Sequence, residues 1–137
     1  MDHVEASGRN HFADWMDGEI PPAAKVAINA RFTQMIPMPR WPEKWVSTYQ
    51  GYPGLLEARI LFNGVQYRPL FTYRSSVARQ IVLLRGAIEK GGKIRRSVLD
   101  AAYARREELI KHDRARADAL RQGRPQEAER VTRHKFT

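Results

Sequence analysis

A chain of 137 residues without cysteine has room for one domain around one ordinary core, and it excludes disulfide frameworks, thiolate zinc sites and thiol nucleophiles. The formal net charge of +9 is unevenly placed: from Arg59 to Arg96 nine bases stand against the single acid Glu89, while the rest of the chain holds fifteen bases and fourteen acids. Such segregation suits a face that meets a polyanion, whereas solubility alone does not require it.

In chain order, Asn10 is a good N-cap, and Phe12, Trp15 and Met16 follow at helical spacing, predicting a short helix to about Gly18. Pro21 and Pro22 open a second helix with Ala24, Ile28, Phe32, Met35 and Ile36 as its buried stripe, and the proline-rich stretch from Pro37 to Pro42 ends it. Trp41 and Trp45 fall in the connecting stretch and read as packing residues rather than base-stacking ones.

From Leu55 the period becomes two. Leu56, Ala58, Ile60 and Phe62 alternate with Glu57, Arg59 and Leu61, and Asn63-Gly64 is the dipeptide that a two-residue type I′ hairpin prefers. The return strand puts Val65, Tyr67, Pro69, Phe71 and Tyr73 on one face and Gln66, Arg68, Leu70 and Thr72 on the other. After a loop over Arg74 to Ala78, Gln80 to Arg85 reads as a strand buried on both faces. Its aliphatic run, Ile81 to Leu84, is the longest in the chain and far below the roughly 20 residues of a membrane helix. With no signal-peptide pattern at the start, a soluble cytoplasmic protein is expected. Gly91-Gly92 breaks the strand pattern, and a long helix starts between Lys93 and Ser97, carries Val98, Ala101, Ala102, Leu109 and Ile110, and stops at Gly123. The elements therefore make an α+β chain: two N-terminal helices, a strand region that includes an antiparallel hairpin, and a long C-terminal helix. Residues 1–122 form the domain and 123–137 a polar tail.

Counting outward from Asn63-Gly64 pairs Phe62 with Val65, Leu61 with Gln66, Ile60 with Tyr67 and Arg59 with Arg68. Like charges directly opposite destabilise a hairpin, so the two arginines need an anion between them. Glu57, on the same face, is an internal candidate, which would make a structural Arg-Glu-Arg cluster; a phosphate is the external one, which planar guanidiniums grip well. Pro69 has no N–H for Ala58, so the ladder is expected to loosen there. Lys90, Lys93, Arg95 and Arg96 arrive from the following loop and first helical turn, where the helix dipole also favours an anion. The two glycines are expected to let that loop approach a backbone closely. His3, His11, His112 and His134 are too scattered to suggest a metal site, and no cofactor is expected.

These residues resemble the RelE superfamily of toxins, in particular its HigB-like branch with the phage-derived Gp49-like proteins. Gly8-Arg9 with Asp14-Trp15 and Asp17-Gly18 resembles the branch's opening. Gly51-Tyr52-Pro53-Gly54-Leu55 running into Glu57-Ala58-Arg59-Ile60 resembles its most recognisable stretch, Gln66-Tyr67-Arg68 its Tyr-Arg strand, and Ile81 to Leu84 with Gly86, Lys90 and Lys93 the strand and Lys-rich loop before the last helix. The family begins with a strand, for which Met1 to Ala6 are available here. The resemblance implies a RelE-like fold, a small antiparallel sheet with the two helices on one face and a basic concave face opposite, and a metal-independent endoribonuclease of a toxin–antitoxin pair. Its partners would be mRNA, usually on the ribosome, and a helix-turn-helix antitoxin. By position it implies Arg59, Arg68, Lys90 and Lys93 as catalytic residues, with Glu57, Arg96 and Tyr103 as RNA contacts; the basic stretch itself adds Arg85 and Arg95 as RNA contacts. Glu89 stands where a second base is common in the family, and Gly91, Gly92, Ile94 and Arg95 replace a Thr- and Pro-containing loop. A noncatalytic module that binds RNA or antitoxin on the same scaffold is the alternative, and a pure interaction protein that pairs with a repressor is a third.

Overall fold

The computed structural model describes residues 10–74 and 80–123. Asn10 accepts a hydrogen bond from Ala13 N at 2.9 Å and so caps helix α1 (His11–Glu19). Helix α2 (Pro22–Met35) opens on proline, whose missing N–H is one that a helix start leaves unpaired anyway. It buries Ala24, Ile28, Phe32 and Met35. Ile36, expected on that stripe, is 64% exposed: eight residues beyond Ile28 at 3.6 per turn, it has rotated about 80° off the buried face.

Five strands form one antiparallel sheet: β1 (Val46–Thr48), β2 (Leu56–Ala58), β3 (Ile60–Phe62), β4 (Val65–Tyr73) and β5 (Ile81–Ile88). Strand β4 is central, paired with β2 and β3 along one side and β5 along the other, and β1 adds to β2. The Asn63-Gly64 turn has positive φ at both positions (50° and 76°), as a type I′ turn demands. The counted pairs Phe62–Val65, Leu61–Gln66 and Ile60–Tyr67 are present. The single strand expected from Leu55 to Phe62 is divided at Arg59, yet the count resumes unchanged with Glu57 opposite Leu70 and Leu56 opposite Phe71. No residue is inserted. The ladder opens because Pro69 has no N–H to donate, and Arg59 spends its own backbone elsewhere: its N–H bonds Trp45 O at 2.7 Å and its carbonyl accepts from Arg31 Nη1 at 2.6 Å.

Tyr67 and Phe71 face the core made by α1 and α2, with Phe12, Trp15, Ile28, Phe32 and Met35. Trp41 and Trp45 pack there as expected. Trp41 stacks on Tyr73 at 5.3 Å and donates to Met35 O, while the Arg31 guanidinium lies 4.2 Å from the Trp45 ring centre.

Strand β5 runs to Ile88, three residues beyond the expected end, and a bulge opposite Leu70/Phe71 leaves Leu84 as its extra residue. On the opposite sheet face the resemblance implied a basic concave surface. Helix α3 (Arg96–Arg121) lies across it, burying Leu99, Ala102 and Leu109 against Leu55, Leu70, Val82 and Leu84. Ala102 and Leu109 of the expected stripe are buried, Leu99 joins them, and Val98, Ala101 and Ile110 are half-buried. The N-terminal strand expected at Met1 to Ala6, Gly8-Arg9, most of the loop after Arg74, and the tail from Arg124 lie outside the described residues. No helix among those described is long and apolar enough to cross a membrane.

Candidate nucleic-acid interface

The register that opposes Arg59 and Arg68 also sets Glu57 opposite Ser47 of β1. Glu57 Oε1 accepts from Ser47 Oγ at 2.6 Å and from Arg59 Nε at 3.2 Å, and its Oε2 accepts from the Tyr49 hydroxyl. Arg68 Nε stands 3.9 Å from the same Oε1. Its other nitrogens bond Tyr67 O at 3.1 Å, Gln66 Oε1 at 2.8 Å and Glu89 Oε1 at 3.3 Å. Glu57 is thus the anion between the two arginines, and Glu89 is a second. Two guanidiniums and two carboxylates leave the cluster formally neutral.

Exposure separates the arginines. The Arg68 side chain is 6% exposed and lies beneath the surface, whereas that of Arg59 is 46% exposed. A ligand reaching this cluster meets Arg59. The Tyr49 hydroxyl is pushed well above its ordinary pKa, first by burial and then by its bond to the Glu57 carboxylate, so it stays a neutral donor to that acid.

Beyond β5, Lys90-Gly91-Gly92-Lys93 forms a second tight turn. Both glycines have positive φ, 61° and 77°, and Lys90 and Lys93 exchange backbone hydrogen bonds of 3.2 Å in each direction. The expectation that these glycines admit a nearby backbone is corrected: a Cβ at either position would meet nothing within 4 Å. Left-handed backbone is the requirement here. The turn sets both lysines at the mouth of one cleft. Helix α3 follows at once; its N-cap Arg95 makes no side-chain cap and its first turn carries no acid. Its first amides and two arginines therefore share a cationic end.

Three clefts meet around this segment, and Ile94 lines all of them. The first, of about 330 Å³, brings together Glu57, Arg59 and Lys93 with Tyr49 and Glu89. The second, of about 700 Å³, gathers Arg85, Lys90, Lys93, Arg95 and Arg96, with Glu19 the only acid among the described residues that line it. The third, of about 650 Å³, holds Arg96 and Tyr103 beside Gln50, Tyr52 and Asp100. Eight of the nine residues singled out from the sequence line these clefts, and Arg68 lies under the first. Lys93 belongs to two clefts and Arg96 to two, so the basic cleft shares a basic lining residue with each of its neighbours; the three together are referred to as the furrow.

Sequence reasoning missed Ser47 and Tyr49, which hold Glu57, and the Tyr52–Asp100 pair, whose hydroxyl-to-carboxylate distance is 2.5 Å. No local signal joins residues 48 apart in the chain. Among the described residues, no group of three histidine, cysteine or acidic side chains is placed to hold a metal ion.

Comparison of the chain with protein-family models, with curated proteins and with solved structures finds no match in any of the three.

Proposed function

We propose that this chain is an RNA-cleaving toxin of the RelE/HigB type, an endoribonuclease that acts on mRNA, including ribosome-bound mRNA, and is held in check by a helix-turn-helix antitoxin. The observation that carries the reading is the first cleft: an exposed guanidinium, Arg59, anchored from below by a buried carboxylate and facing Lys93 at the edge of a furrow with four further bases. Arginine fixed through Nε to Glu57 keeps its outer nitrogens for a phosphate, and little reorganisation remains when charge develops on it. In the reaction, the RNA's 2′-oxygen attacks the adjacent phosphorus and the 5′-oxygen leaves, giving a 2′,3′-cyclic phosphate. The 2′-hydroxyl proton goes to a base, and the leaving oxygen takes one from an acid. Arg59 offsets the phosphorane charge, Lys93 of the same cleft and Lys90 of the adjoining one are the proton-transfer candidates, and Arg68 acts from below by holding Glu57 and Glu89. Arg85, Arg95 and Arg96 meet the flanking backbone.

One observation favours the second reading, binding without cleavage on the same scaffold. Glu57, the carboxylate bonded to Arg59, already accepts bonds from Ser47, Tyr49 and Arg59 on its two oxygens, so neither oxygen is left unengaged to take the 2′-hydroxyl proton. Toe-printing of a translated message separates the readings. Cuts made by the wild type and lost in a folded Arg59→Ala protein support the nuclease. Salt-sensitive RNA binding without cuts supports the module. Neither cuts nor binding removes both and leaves a protein-only partner.

A further inference from the structure

The third cleft has a different chemistry from the other two. Its walls are aromatic: the Tyr52 and Tyr103 rings stand 5.7 Å apart, centre to centre, at 76° to each other. Two rings in that relation make a corner, in which a flat ring laid on one wall meets the edge of the other, the geometry that aromatic quadrupoles favour. The corner is held in shape. Tyr52 donates its hydroxyl to Asp100 Oδ1 at 2.5 Å, and this bond raises the hydroxyl's pKa, while Arg96 acts on the same oxygen in the opposite sense. Tyr103 stands on α3 with the Arg106 guanidinium 5.9 Å from its ring centre. Gln50 adds an amide at the rim.

Position gives this corner its meaning. Arg96 lines both the tyrosine cleft and the cleft of five bases. A backbone whose phosphates lie along the basic cleft therefore passes the tyrosine corner within one side chain's reach. In a duplex each base is stacked and paired; in a single strand a base can turn out and stack on an aromatic face.

We infer that the Tyr52–Tyr103 cleft is a nucleobase subsite, and that the furrow takes single-stranded RNA, with phosphates on Arg85, Lys90, Lys93, Arg95 and Arg96 and one unpaired base in the tyrosine corner. This inference rests on the RNA-directed reading above and names the substrate class of that surface. Asp100 is a positioning residue that fixes the Tyr52 ring.

The test is fluorescence anisotropy with a short labelled RNA of mixed sequence, offered as a single strand and as a blunt duplex. Tyr52→Leu and Tyr103→Leu keep apolar bulk but remove the π face; Tyr52→Phe and Tyr103→Phe keep the face. The leucine proteins are expected to bind the single strand about five- to a hundred-fold more weakly, with the slope of affinity against salt unchanged because the phosphate contacts remain. The phenylalanine proteins should stay near wild type, and Lys90→Ala should lower the salt slope. Circular dichroism melts identify any leucine protein that fails to fold, and for such a position quenching of a 2-aminopurine base in wild-type complexes supplies the readout. Equal single-strand affinity in folded leucine proteins, an unquenched 2-aminopurine, or equal binding of duplex and single strand overturns the subsite while leaving the RNA reading standing. Absence of RNA binding by the wild type overturns both.

Discussion

Arg68 Nε lies 3.9 Å from Glu57 Oε1, both side chains are 6% exposed, and that nitrogen has no hydrogen-bond partner among the described residues. Removing Arg68 takes from the buried Glu57 its buried cation, leaving it only the half-exposed Arg59 among the cations paired with it above, and takes from the partly exposed Glu89 its ion pair. Breaking a buried pair in this way costs about 3 kcal/mol or more, whereas the half-exposed Arg59 contributes under about 1 kcal/mol through its ion pair. Urea denaturation should therefore show a large loss for Arg68→Ala and a small one for Arg59→Ala. Lost cleavage in Arg59→Ala then reports on the site, while in Arg68→Ala it reports on folding as well. Equal midpoints for the two proteins would contradict the burial argument.

Tyr49 gives the stability a dependence on alkaline pH. Its folded-state pKa is raised by burial and by Glu57, while in the unfolded chain it ionises near 10. A raised pKa contributes stability that is complete below about pH 10 and is lost as pH rises beyond it, because only the unfolded chain gives up the proton. Urea midpoints should fall between pH 9 and 11 (about that window) more steeply for the wild type than for Tyr49→Phe. Absorbance titration of phenolate should show one tyrosine of the native protein that ionises only on unfolding. Parallel pH profiles for the two proteins would remove the assignment.

Gly86 on β5 lies under the Trp15 indole of α1. A Cβ there would come within 2.0 Å of the ring, and neither the indole nor the strand backbone can yield cheaply. Gly86→Ala should destabilise by about 1–3 kcal/mol, and trimming the partner in Gly86→Ala/Trp15→Leu should recover part of that loss as a coupling term in a double-mutant cycle. Additive effects would mean that helix and strand do not meet there.

The hairpin was the most legible part of the chain because a single dipeptide sets both turn type and register. From Asn63-Gly64 the opposition of Arg59 to Arg68, the place of Glu57 and the weak point at Pro69 all follow by counting. Strand β1 was not legible: three residues give no usable alternation, and Val46–Thr48 is ordered by pairing with β2. The hidden Ser47 and Tyr49 bonds to Glu57 went with it. The cover over the second sheet face was missed for a similar reason. Helix α3 is tied there by Arg74, whose Nε and Nη2 grip the buried Asp113 at 3.1 and 2.9 Å across 39 residues of chain, a long-range pair that no local pattern announces.

The lysines of the furrow depend on a turn that can be altered without touching them. Gly91 and Gly92 both have left-handed backbone and open space where a Cβ would stand. Asn63 already occupies the first position of the equivalent turn at φ 50°, so Gly91→Asn fits the same conformation and narrows the unfolded ensemble, adding up to about 1 kcal/mol of stability. Gly92→Val forces a β-branched residue into the left-handed region, at about 1–2 kcal/mol, and the turn relieves that strain by moving Lys93. Melting temperatures should therefore rise for Gly91→Asn and fall for Gly92→Val. RNA affinity should hold in the first and drop in the second. A Gly92→Val protein that binds RNA as the wild type does would show that Lys93 need not sit where this turn holds it.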